Sequence, residues 1–177
     1  MKKYSLILIL CAFSFGQIFN TGKVLRKGDM SIGANGAIHT NPSDFQLNLF
    51  GGYGLSGMDL SVRLGFGVDD TYFGMDLEKS LMNSSKSDFS VSAGFHTQNN
   101  FGLDASAVYS LELNKRSNIF VGVDTDIELG DFSGFNPWLV AGVDFVLKRN
   151  MRFMFETDIP LKDGLPNRLV IGVHYFL

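Results

Sequence analysis

The sequence predicts an all-β protein: a closed antiparallel transmembrane β-barrel of about ten strands, or of eight if weak hairpins merge. Three observations carry this. Ten short segments alternate apolar and polar residues with a period of two, the apolar face of each is free of charge until the segment ends, and an N-terminal export signal precedes them. A period of two sends successive side chains to opposite faces of a strand, so each segment has one oily and one wet face. A soluble sheet shows this once or twice, not ten times at uniform length. The 20 glycines and 17 phenylalanines favour tight turns and large apolar contacts, and a net charge of -3 leaves no basic footprint for nucleic acid.

At the N-terminus, Lys2 and Lys3 precede an apolar run from Leu6 to Phe13, and Ser14 and Gly16 supply small residues at the two positions a signal peptidase reads. The run is too short to cross a bilayer as a helix, so residues 1–16 read as a removed signal peptide and Gln17 as the mature start. The single cysteine, Cys11, lies inside that signal. Leu10 before it is bulky where lipid attachment needs a small residue, so Cys11 reads as an ordinary apolar signal residue and no disulfide framework remains. Residues 17–28, with Lys23, Arg26 and Lys27, lack alternation and read as a short periplasmic leader before a barrel at 29–177.

The strands fall at about 29–38, 44–53, 58–68, 71–79, 88–97, 101–113, 118–129, 138–147, 150–160 and 167–177. Roughly ten residues at ~3.3 Å each, tilted by ~45°, cover the ~25 Å apolar band of an outer-membrane barrel. An even number of antiparallel strands places both termini on one side, the periplasmic side in bacterial barrels. The opposite connections, near 39–43, 69–70, 98–100, 130–137 and 161–166, are all short and leave no room for a large receptor loop. Turn formers stand where this topology needs them, as at Asn99 and Asn100, Gly130 and Asp131, and Asp163 and Gly164.

The third segment shows the pattern most cleanly: Met58, Leu60, Val62, Leu64, Phe66 and Val68 on one face, Asp59, Ser61, Arg63, Gly65 and Gly67 on the other. The same apolar face continues through Phe45, Leu47 and Leu49, Phe73, Met75 and Leu77, Val121 and Val123, and Ile171 and Val173. A charge at the bilayer midplane on this face costs ~2–4 kcal/mol, which explains its exclusion. Lys79, the first exception, falls at a strand end where its long stem lets the ammonium reach the interface. Tyr53, Tyr109 and Tyr175 near strand ends fit an interfacial aromatic girdle; Trp138 sits in inward register beside Pro137 and joins the girdle only if a bulge shifts its phase.

The last strand, RLVIGVHYFL, carries Gly172, Tyr175 and Leu177 in the glycine-x-x-aromatic-x-hydrophobic spacing of an outer-membrane assembly signal. On these residues and the ten-segment architecture, residues 29–177 resemble the small outer-membrane β-barrel proteins, the OmpA/OmpX-like group. Leu177 replaces the usual terminal aromatic residue, and Val170 stands where a polar residue is commoner. The resemblance implies localisation in a bacterial outer membrane, with outer-membrane lipids and the barrel assembly machinery as partners.

The wet face would line the lumen with Asp59, Arg63, Asp76, Glu78, Asp104, Glu112, Asp124, Asp126, Glu128, Asp144, Arg152, Glu156 and Asp158. Two arginines cannot neutralise eleven carboxylates, so a partly hydrated, cation-preferring interior is expected. Ten strands lie near the size at which side chains fill a barrel, so a structural barrel or a small passive pore is the expected function. The histidines bring no catalytic motif: His39 with Asp44 and His96 with Asp104 lack a linking pattern, and no catalytic residue or cofactor is assigned. Asp124, Asp126 and Glu128 invite a calcium reading, but ligands two residues apart on one strand lie ~6.6 Å apart along a line, so no metal site is expected without other strands. Two rivals stand beside this reading: a secreted or periplasmic lipocalin-like binder with its apolar face turned inward, and a barrel enzyme acting on lipid or peptide.

Overall fold

The computed structural model describes residues 21–40, 43–67, 71–98, 100–129 and 134–177; the predicted signal peptide, Cys11, Val68, Asn99, Gly130 and Asp131 lie outside them. Ten strands form, β1 (Met30–Thr40), β2 (Ser43–Gly54), β3 (Met58–Phe66), β4 (Tyr72–Asn83), β5 (Ser87–Thr97), β6 (Phe101–Asn114), β7 (Ser117–Glu128), β8 (Phe135–Lys148), β9 (Met151–Pro160) and β10 (Arg168–Phe176). Each pairs antiparallel with its sequence neighbour, and β1 pairs with β10 from Ser31↔Phe176 to His39↔Arg168, closing the barrel. Ten strands is therefore the count, and no sheet edge is left to seek a foreign strand.

The two ends differ. At the turn end, where β1 starts and β10 finishes, the connections span residues 55–57, 84–86, 115–116 and 149–150. The loop end carries the longer ones, including 129–134 and 161–167. Three strands bulge near the turn end, between Ser80 and Met82, Glu112 and Asn114, and Val146 and Lys148. An extra residue breaks the period of two, so Leu81 and Met82 are both exposed where strict alternation would have hidden one.

The apolar face points outward. Phe45, Leu49, Leu64, Phe66, Leu77, Val121, Val123, Ile171 and Val173 are all exposed, while Asp76, Asp104, Asp124, Asp144, Glu156 and Asp158 are buried inside. This inversion of a soluble protein is the arrangement lipid requires, and it overturns the lipocalin-like alternative, whose apolar side chains would line the cavity.

Inside, large rings lie over cross-strand glycines. Phe120 covers Gly142, its partner on β8, and Phe50 covers Gly33, its partner on β1. A Cβ on Gly142 would run into the Phe120 ring and the Phe155 carbonyl. Gly142→Ala is accordingly expected to destabilise the barrel by about 1–3 kcal/mol, the usual cost of overpacking, as a lower urea midpoint for unfolding from lipid vesicles.

Candidate functional site: the charged lumen

The lumen is the one place where this fold concentrates chemistry, because alternation turns every polar strand position into it. Of the predicted lining residues, Asp59, Asp76, Glu78, Asp104, Asp124, Asp144, Glu156 and Asp158 are buried. Arg63, Asp126, Glu128 and Arg152 are half-buried. Glu112 departs from the expectation: it stands exposed at the turn-end rim, where the β6 bulge ends regular pairing.

The cations are distributed among the anions. Arg63 pairs with Asp76 through both Nη2 and Nε, the latter at 3.1 Å, and Ser61 donates to the same carboxylate at 3.4 Å. Arg152 Nη1 donates to Asp144 at 2.5 Å, and Asn118 donates to the other oxygen of Asp144 at 2.6 Å. The third cation is one that counting arginines by strand had missed. Arg168, at the first position of β10, is 4% exposed, with Nε 2.9 Å from Asp158 and Nη2 3.4 Å from Asp124. Its place in the inward register of the last strand was the available signal, obscured because it reads as a strand boundary.

Trp138 keeps the inward register that alternation gives it. It is buried in the lumen: Arg168 stacks on its ring at 4.0 Å, and its indole Nε1 donates to the Pro166 carbonyl at 3.3 Å. No bulge shifts its phase, since β7 and β8 pair in continuous register from Ser117↔Phe145 to Ile127↔Phe135. An aromatic face is attractive to a guanidinium away from bulk water, so the ring acts as a further ligand for the buried cation.

Within the leader, residues 21–25 turn into the turn-end mouth. Ser110 donates to the Thr21 carbonyl, Gly22 lies against Val108, Ser110 and Ser90, and the backbone N–H of Leu25 donates to Asp59 at 2.9 Å. Gly54 is closely approached by the Arg26 backbone, so a side chain there would push the segment out. Among the described residues lie a cavity of about 80 Å³ beneath the leader, reaching Asp59, Glu78, Arg63 and Arg152, and one of about 210 Å³ at the loop end, bounded by His39, His96, Asp126, Glu128 and Arg168.

Each of the three histidines has a charged neighbour, His174 having Arg152 directly opposite it across β10 and β9. His96 Nδ1 lies 2.5 Å from Asp104, and His39 stands opposite Asp44 across β1 and β2. His174 packs among Phe50 and Phe176. None stands beside a serine, cysteine or threonine in a nucleophile arrangement among the described hydrogen bonds. In the proposed assembly signal, Gly172 is buried opposite Asn35, Tyr175 points outward, and the Leu177 N–H donates to the Met30 carbonyl at 2.8 Å, tying the chain end to the start of β1.

No protein-family model matches the chain, and none of the curated proteins does. Solved structures do. A KdgM porin superposes with a TM-score of 0.53 at 9% identity, covering 82% of this chain and 98% of that one, and a KdgM porin in complex with disordered oligogalacturonate reaches 0.56 at the same identity and coverage. The outer-membrane protein Omp33 of Acinetobacter baumannii gives 0.49 at 7% identity, over 85% of this chain and 99% of that one. At 9% identity the likeness to the KdgM porin speaks for architecture, and it agrees with the closed sheet: the chain has the fold of an outer-membrane β-barrel.

Proposed function

We propose that this chain is a structural β-barrel of a bacterial outer membrane, with both termini periplasmic and a lumen that serves as a charged, filled core and not as an open channel. The supporting observation is that Asp124, Asp144, Glu156 and Asp158 are completely shielded from solvent inside the barrel. A water-filled pore would leave such groups wet, as larger barrels do. The folded-in leader adds a second obstruction at the turn end. Outer-membrane lipids surround the apolar belt, and the residues of the C-terminal signal hand the chain to the barrel assembly machinery.

A narrow cation-preferring passage is the second reading, favoured by the excess of lumen carboxylates over Arg63, Arg152 and Arg168. The same excess argues against carrying the KdgM ligand over, because an acidic lumen repels a polyanion such as oligogalacturonate. The test is conductance of the refolded protein in a planar bilayer under a potassium chloride gradient. Insertion without discrete steps is expected; cation-selective steps that shrink in Asp76→Asn and Asp124→Asn would replace the closed barrel with the pore.

A further inference from the structure

Three neighbouring strands bring together ligands that no single strand holds. His96 on β5, Asp104 on β6 and Asp126 on β7 each offer one donor atom, and these atoms all lie within 4.8 Å of one another. We propose that they form a binding site for one divalent transition-metal cation of the zinc type, entered from the loop-end cavity.

The register creates the need for a cation. Asp104 and Asp126 stand directly opposite each other on β6 and β7, a placement in which like charges destabilise a sheet. Asp104 is 1% exposed; its Oδ1 is held by His96, and its Oδ2 meets no donor other than the facing Asp126 carboxyl. Gly94, the residue between Asp76 and Asp104 in the cross-strand row, lets the Asp76 carboxylate lean over it, which adds a third negative group nearby. Arg63 turns its Nε and Nη2 to Asp76, and Arg168 turns to Asp124 and Asp158.

The donor set indicates which ion. One imidazole nitrogen and two carboxylate oxygens suit zinc or a similar first-row ion, whereas calcium takes six to eight oxygens. With bonds of ~2.1 Å, the ligand atoms of a tetrahedral ion are ~3.4 Å apart, so side-chain movements of about an ångström bring the cluster, whose donor atoms lie within 4.8 Å of one another, onto it. Tyr72 stacks on the His96 ring at 5.5 Å and fixes its plane, and the buried Tyr72 hydroxyl has no hydrogen-bond partner. His96 and Asp126 line the 210 Å³ cavity, which leaves space for water in the remaining coordination positions. Asp124, Asp126 and Glu128 on one strand set their carboxylates in a line, whereas Asp126 finds His96 and Asp104 across strands.

The test is zinc binding to the full refolded barrel in detergent after chelator treatment, by calorimetry and by metal content after dialysis. One equivalent is expected, with a raised unfolding temperature. His96→Gln and Asp104→Asn should each weaken binding at least tenfold, while His174→Ala, across the lumen, should leave it unchanged. If Asp104→Asn fails to refold, Asp126→Asn at the wetter edge of the cluster serves in its place. Absence of binding, a stoichiometric site untouched by His96→Gln, or equal binding of calcium would overturn the assignment.

Discussion

Arg168→Ala is expected to destabilise the barrel by about 3–5 kcal/mol, the cost of leaving buried anions without their cation. Asp158 and Asp124 are both fully buried, and Arg168 is the cation that reaches them. Its removal also strips the guanidinium from Trp138. That tryptophan is the only one in the chain, so its fluorescence reports on this cluster during urea unfolding from lipid vesicles. The expected result is a lower urea midpoint and an altered emission maximum even in the folded state. Asp158→Asn placed on Arg168→Ala should recover part of the loss, because it removes one of the stranded charges. An unchanged midpoint in Arg168→Ala would mean the anions are neutralised by other means, and the charged core would lose its proposed centre.

The second large effect belongs to the other face of the wall. Val62 lies midway along β3, outward between Gly51 and Met75, where the belt of lipid is driest. Val62→Arg is expected to cost ~2–4 kcal/mol and to cut the fraction that inserts into vesicles. Met58→Arg, at the turn-end rim beside Lys79, should cost no more than ~1 kcal/mol, because there the guanidinium reaches the interface. Equal insertion of both variants would mean that the outward face at Val62 is not in the hydrocarbon. The contrast in depth is the informative quantity, since general harm from arginine would strike both sites alike.

Much of this architecture was legible from residue order. Alternation located all ten strands, the charge-free face identified the lipid side, and strand lengths of roughly ten residues matched the membrane band. Small misplacements trace to physical causes. Strand β8 begins at Phe135 and includes Pro137, which reads as a turn former but sits in the register opposite Thr125. Strand β4 continues to Asn83 because a bulge, which alternation hides, carries the pairing past Ser80.

The sequence by itself determined the barrel, its inside and its outside, because a strand has only two faces and lipid tolerates only one kind of side chain. It also assigned Asp76, Asp104, Asp124, Asp144, Glu156 and Asp158 to the inward face. Only the tertiary structure decided which charges meet: that Arg168 joins Asp158 and Asp124 beneath Trp138, that Asp104 faces Asp126 beside His96, and that residues 21–25 fold back into the mouth. Those contacts depend on cross-strand register and ring closure, which bring together residues dozens of positions apart. A period of two records the face to which a side chain belongs and carries nothing about its partner on the strand beside it.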